Sequence, residues 1–229
     1  MLRAPKLYGR RKGPKPSERQ LRLKRELLPA IALRLKPGAD PKSYFSSSVK
    51  DVWLEVGFGG GEHLLWQAVH NPDTGLIGAE PYAAGIAKLL SHIDDASGGT
   101  LGKALPNIRI HEGDARDIIA ALPPASIGRV FVLFPDPWPK TRHHKRRFMQ
   151  MELLGALARI LRKDGELRFA TDDSGYLRWT IERFLAHKDF VWMAERATDW
   201  TMRPSDWPQT RYEAKALHGP PLYLRFLRR

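Results

Sequence analysis

Leu54-Glu55-Val56-Gly57-Phe58-Gly59-Gly60-Gly61 decides the fold: an apolar run ends in a carboxylate and a glycine loop, and helical periodicity starts at once. Glycines at such a junction let the backbone pass tightly under a ligand and leave the helix N–H groups free to meet it. The same alternation repeats outward from this point. Short runs rich in Val, Ile, Leu and Phe occupy 52–57, 75–80, 107–111, 129–135 and 166–170, and helical periodicity fills 61–70, 82–93, 115–121, 146–162 and 174–187. The clearest helix, 146–162, places Met149, Leu153, Leu154, Leu157, Ile160 and Leu161 on one face and meets a stop signal at Lys163-Asp164-Gly165. This order predicts an α/β fold, a mostly parallel sheet covered on both sides by helices. Two late strands, 190–194 and 222–227, are expected as an antiparallel pair at one edge of that sheet.

In such sheets ligands bind beyond the carboxyl ends of the strands. Each of the five runs ends in or near an acid there: Glu55, Glu80, Asp114, Asp136 and Asp172. One or two such acids could be helix caps, and Asp114 before Ala115 is well placed to be one. Five together imply a cleft.

The formal charge of +13 over 229 residues is unevenly spread. Residues 1–25 hold ten Lys/Arg against Glu18 alone, and the block Lys140, Arg142, Lys145, Arg146, Arg147 adds five more positive charges, so the rest of the chain is close to neutral. A neutral body with two basic patches points to a polyanionic partner. Cysteine is absent, which excludes disulfides and thiolate chemistry. No apolar run reaches the roughly 20 residues needed to span a bilayer, and the N-terminus lacks an apolar signal region. A cytoplasmic location, with no membrane partner, is the expectation. Residues 1–25 read as a basic tail, flexible over 1–17 until bound, and 26–229 as a single domain. Residues 18–35 could form a helix interrupted at Pro29.

The dinucleotide fingerprint would require glycine where Glu62 stands. The observed E-x-G-x-G-x-G instead resembles the first motif of S-adenosylmethionine-dependent methyltransferases, and a carboxylate suits a sulfonium and an ammonium better than a pyrophosphate. In that setting Glu80 is placed to accept from ribose hydroxyls and Asp114 to meet the adenine edge. The loop after the fourth strand, Phe134-Pro135-Asp136-Pro137-Trp138-Pro139-Lys140, differs from the Asp/Asn-Pro-Pro-aromatic signature of enzymes that methylate exocyclic amines. Together with Arg142-His143-His144-Lys145-Arg146-Arg147, Ala170-Thr171-Asp172-Asp173 and Thr210-Arg211-Tyr212-Glu213, it is similar to the bacterial tRNA (guanine-N7)-methyltransferase family over roughly 50–229.

The resemblance implies the class I methyltransferase fold, Rossmann-like, with a seven-stranded sheet carrying an antiparallel edge strand. It also implies transfer of the methyl of S-adenosylmethionine to N7 of the variable-loop guanosine, position 46 of tRNA. By the same comparison the cofactor is held by Glu55, Gly57, Gly59, Glu80, Asp114 and Asp136. Lys140, Asp172 and Thr210–Glu213 face the guanosine, and Asp136 is the catalytic residue. Arg142, Lys145, Arg146 and Arg147 are expected on the RNA backbone. Two residues depart from the family's pattern: Pro81 after Glu80, and Asp173 beside Asp172.

Other readings stay open on the residues alone. Thr210-x-x-Glu213 is also a helix capping box, Asp172 could cap the helix near Ser174, and Trp138 could stack on a base or be buried. His143 and His144 lack a third ligand at useful spacing, so no metal is expected. A same-fold enzyme acting on another RNA base, and a non-catalytic RNA-binding protein, are the rival functions; the chain could be a monomer or a homodimer.

Overall fold

The computed structural model describes residues 13–46, 48–99, 105–215 and 217–229. In chain order the elements are α1 (Glu18–Glu26), α2 (Leu28–Ile31), β1 (Asp51–Val56), α3 (Glu62–His70), β2 (Thr74–Ala79), α4 (Ala83–Ala96), β3 (Ile108–His111) and α5 (Ala115–Ala121). They continue with β4 (Ile127–Leu133), α6 (Met151–Ile160), β5 (Leu161–Thr171), α7 (Ser174–Ala186), β6 (Phe190–Trp192), α8 (Thr198–Thr201) and β7 (Leu222–Arg228).

One seven-stranded sheet in the order β3-β2-β1-β4-β5-β7-β6 organises the molecule. β1 pairs with both β2 and β4 in parallel, so the strand order reverses beside the glycine loop, where α/β sheets open a crevice. β7 runs antiparallel to β5 and to β6, so the antiparallel strand lies one position in from the edge. β2 is buried along its whole length, which accounts for its unbroken apolar reading. On one side of the sheet Ile118, Leu154, Leu157 and Phe184 bring α5, α6 and α7 onto the core. On the other, Leu23, Leu64, Leu89 and Leu90 bring in α1, α3 and α4.

The basic N-terminal segment becomes helical at Glu18. Ser17 and Gln20 close a capping box, and Leu23 is fully buried against the α4 side of the sheet. Arg19 pairs with Asp94 at 2.8 Å and Lys24 with Glu112 at 3.1 Å, so part of the charge read as a tail is spent within the fold. The expected flexible stretch 1–17 falls mostly on residues 1–12, which lie outside the described residues.

The helix expected over 146–162 is shorter and begins at Met151. Thr141–Arg146 forms a 3-10 helix, and the backbone after it bonds to side chains: Tyr176 Oη accepts the N–H groups of Phe148 and Met149, at 2.9 and 3.3 Å. Gln150 adds bonds to the carbonyls of His144 and Arg147. The expected stop signal is not a helix end either. The helix finishes at Ile160, and Lys163-Asp164-Gly165 is an irregularity inside β5, with Asp164 at φ 61° where the register against β4 shifts.

Candidate active site

The carboxyl ends of β1 and β4, the start of α3 and the segment before β7 form one cleft, lined by Glu55, Gly59, His63, Phe134, Thr210 and Tyr212 among others. Gly57, Gly59 and Gly61 have φ of 67°, 55° and 78°, the left-handed region that only glycine enters freely, and this folds the loop under the cleft. Gly85 on α4 comes equally close: a Cβ there would stand 2.4 Å from the Gly59 carbonyl.

Glu80 fastens this loop. One carboxylate oxygen accepts from the Gly59 N–H and the other from the Tyr82 N–H, both at 2.8 Å. Tyr82 thereby supplies the backbone donor that Pro81 cannot. Burial pushes the Glu80 pKa up; the two N–H groups oppose this, and the charges of Asp136 and Glu55 raise it further. Those three acids therefore share one electrostatic environment. Among the described residues, no Lys or Arg pairs with any of them.

Glu55 is 2 % exposed and accepts from His63 Nδ1 at 2.7 Å. Asn71 donates to Gln67 Oε1, so the Gln67 amide nitrogen faces His63 Nε2 at 3.2 Å and donates to it. That leaves the ring hydrogen on Nδ1, aimed at Glu55. Gln67 Nε2 also donates to the Asp206 carbonyl at 2.9 Å.

Asp114 is the α5 cap that its sequence allowed. It accepts from the Arg116 N–H at 3.0 Å, and the Arg116 guanidinium forks onto its carboxylate. It lies just past the end of β3, and in this structure its oxygens are given to α5 and Arg116.

Asp136 stands between Phe134 and Trp138, whose φ values are 49° and 45°. Bulky residues in this region cost of order 1–3 kcal/mol each, so the surroundings hold this loop in place. Phe134 takes the last ladder bond, to the Ala170 carbonyl at 2.8 Å, and its ring packs on Tyr212 with centroids 5.5 Å apart. The Asp136 carboxylate reaches solvent, while the cleft walls withdraw enough water to raise its pKa.

Asp172 is buried at the end of β5 and accepts from the His218 N–H at 3.2 Å. It is not the cap of α7; Asp173 is, accepting from the Tyr176 N–H at 2.6 Å. Tyr212 faces both acids: burial raises its phenol pKa, and Asp172 and then Asp136 raise it further.

Thr210 and Glu213 close the capping box reciprocally, at 3.1 and 3.4 Å, around the 3-10 turn Glu213–Lys215. Glu213 is buried and also takes the Tyr223 hydroxyl and the Arg203 guanidinium. Within this motif Thr210 and Glu213 build the loop, while Arg211 and Tyr212 are the exposed members.

The basic block divides. Lys140, Arg142 and Lys145 are exposed, and Arg146 lies over the Trp138 ring at 4.9 Å. Arg147 departs from its expected place on the RNA backbone: it is 4 % exposed, because its guanidinium is drawn between the Tyr176 and Trp179 rings and bonds to the Pro137 carbonyl. Desolvation and the neighbouring Arg146, Arg142, Lys140 and Lys145 push the His143 pKa down. Among the described residues no group of three His, Asp or Glu side chains could hold a metal ion, and no helix is long and apolar enough to cross a membrane.

Sequence reading missed the supports of this cleft. His63 and Gln67 lie on α3 without any motif to mark them. Asp206 is held by Arg168 through a fork of 2.9 and 2.8 Å, and Trp207 is wedged between His63, Phe131 and Tyr223. A second cleft, at the amino ends of the strands, is lined by charges that pair with one another: Arg162 with Asp51, and Arg129 and Arg225 with Glu166.

The profile of the family described as "Putative methyltransferase" matches residues 49–220. A tRNA (guanine-N(7)-)-methyltransferase of Rhodospirillum rubrum is 47 % identical over 98 % of this chain and 88 % of its own length. Proteins of the same name from Caulobacter vibrioides and Chelativorans sp. are 46 % and 42 % identical, each over 96 % of this chain and 94 % of their own. Among solved structures, an antibiotic-related methyltransferase superposes with a TM-score of 0.55 at 14 % identity, covering 88 % of this chain and 97 % of that one. A 16S rRNA methyltransferase gives 0.53 at 17 % identity, covering 86 % and 97 %. Both share the fold.

Proposed function

The chain belongs to the tRNA (guanine-N(7)-)-methyltransferase family, and on that basis we propose that its cleft transfers the methyl group of S-adenosylmethionine to N7 of guanosine 46 in the variable loop of tRNA. The observation that carries this reading is the group formed by Glu55, Glu80 and Asp136: burial raises the Glu80 pKa, the charges of Asp136 and Glu55 add to it, and no Lys or Arg among the described residues pairs with the three. A ligand bearing a sulfonium and an ammonium relieves that repulsion, so the residues present fit the methyl donor. Glu55, Gly57, Gly59, Glu80, Asp114 and Asp136 would hold it. When bound, it supplies an electrophilic methyl group on positively charged sulfur.

Guanine N7 has a free lone pair and no proton to lose, so Asp136 need not act as a base. What the protein must supply is alignment, which can contribute up to about 7–11 kcal/mol. Asp172, Tyr212 and Lys140 orient the guanosine. Asp136 and Asp172 also favour the positive charge that develops on the base as N7 is alkylated. Both acids can accept hydrogen bonds from the guanine N1–H and exocyclic amine. Arg142, Lys145 and Arg146 hold tRNA phosphates, with the N-terminal basic residues adding to the grip.

Unmodified tRNA incubated with methyl-labelled S-adenosylmethionine and then cleaved by borohydride and aniline tests this directly. Cleavage at guanosine 46 is the expected result. Label at another base, or none, refutes it.

A further inference from the structure

We propose that Arg147 is a positioning residue: it fixes the spacing between the Asp136 loop and the Asp172–Asp173 turn, and it makes no phosphate contact. The inference rests on the reading of those two acids given above.

The Asp136 loop needs an external support. Pro135, Pro137 and Pro139 have no N–H to donate, and the β-ladder ends at Phe134. Anchoring must therefore use carbonyls and side chains. Arg147 Nε donates to the carbonyl of Pro137, the residue after Asp136, at 2.8 Å. The same guanidinium reaches the first turn of α7, just past the other acid, where Nη1 lies 3.4 Å from the Gly175 carbonyl and the charge is drawn to the cap residue Asp173. Its plane is confined by two rings of α7, with the central carbon 5.0 Å from both Tyr176 and Trp179. At 4 % exposure the group is withdrawn from any bound polyanion, unlike Arg142 and Lys145 five and two residues earlier. One rigid fork thus ties the Asp136 loop to the first turn of α7, which directly follows the Asp172–Asp173 turn, and the Tyr212 phenol feels the charges of both Asp172 and Asp136.

Arg147→Lys keeps the charge and removes the fork. The proposal predicts that kcat falls about 10- to 100-fold, since a misplacement of roughly 1 Å can cost that much. The KM for tRNA should stay within about threefold, and the slope of tRNA affinity against salt should not change. Arg142→Gln, measured alongside, should lower that slope by about one phosphate contact. S-adenosylhomocysteine titration and thermal melting check that the variant is folded. Should Arg147→Lys fail to fold, Trp179→Leu loosens the same guanidinium and should lower kcat about 3- to 10-fold, again with the salt slope intact. An Arg147→Lys enzyme with full kcat, or one with raised KM and a slope lowered by about one, overturns the proposal. If the unaltered enzyme does not methylate guanine N7, the site reading fails instead. The salt slope still decides whether Arg147 touches RNA.

Discussion

His63 Nδ1 donates a 2.7 Å hydrogen bond to Glu55 Oε2 with both side chains buried, so the acid that closes the first strand is aimed by a histidine from the helix that follows it. Removing the donor strands a buried carboxylate, at a cost on the order of 1–3 kcal/mol. His63→Ala is expected to weaken methyl-donor affinity roughly tenfold, read by titration calorimetry with S-adenosylhomocysteine. An affinity unchanged by that substitution removes the orienting role.

The bond from Arg168 to Asp206 fixes the segment that leads into Thr210. Arg168 is 2 % exposed, and Asp206→Asn removes one of the two carboxylates that pair with this buried guanidinium, the other being Glu166. About 2–3 kcal/mol of stability should be lost, a fall in Tm of about 4–12 °C. The tRNA KM should rise as the Tyr212 loop loosens. A melting temperature equal to that of the unaltered protein contradicts this assignment.

The acid group makes donor binding depend on pH. Burial first, with Asp136 and Glu55 adding to it, raises the Glu80 pKa, and burial raises that of Asp136. A carboxyl raised in the folded state stabilises the empty protein while protonated; that contribution is whole below the unfolded pKa and is lost as pH rises through the folded value. A cationic ligand needs the ionised form. Affinity for S-adenosylmethionine should therefore climb as pH rises through the raised carboxyl range and level off above it. Affinity that stays flat from about pH 5 to 8 would exclude a charged acid group from donor binding.

Salt should act on tRNA binding through the exposed cations. Lys145→Gln and Arg142→Gln should each lower the slope of log affinity against log salt by about one, with little change in donor affinity. Unaltered slopes in both variants would move the RNA grip elsewhere.

The sheet, its helices and the five strand-end acids were legible because each depends on local order: a periodicity, a glycine loop, an acid in or near the end of a strand. Residues whose role depends on distant partners were not. Arg147 looked like one more cation in a basic run, and only the rings of Tyr176 and Trp179, brought up by α7, turn it inward. Helix α6 started late for the same reason, since Tyr176 claims the N–H groups of Phe148 and Met149. Asp206 lies 139 residues from Gln67, and no spacing rule links the two. For Asp172 and Asp173, two adjacent acids each able to cap α7, the geometry assigned the cap to Asp173, while Asp172 accepts from the His218 N–H.

Asp136, held between two left-handed residues at the end of β4, is the residue we propose at the reacting centre. The most direct test is the single-turnover rate of methyl transfer to unmodified tRNA by Asp136→Ala, with its melting temperature measured alongside. The structure predicts a rate reduced at least about 100-fold with the fold intact, since alignment and charge stabilisation are both lost. A folded Asp136→Ala enzyme that methylates guanosine 46 at the unaltered rate would contradict it.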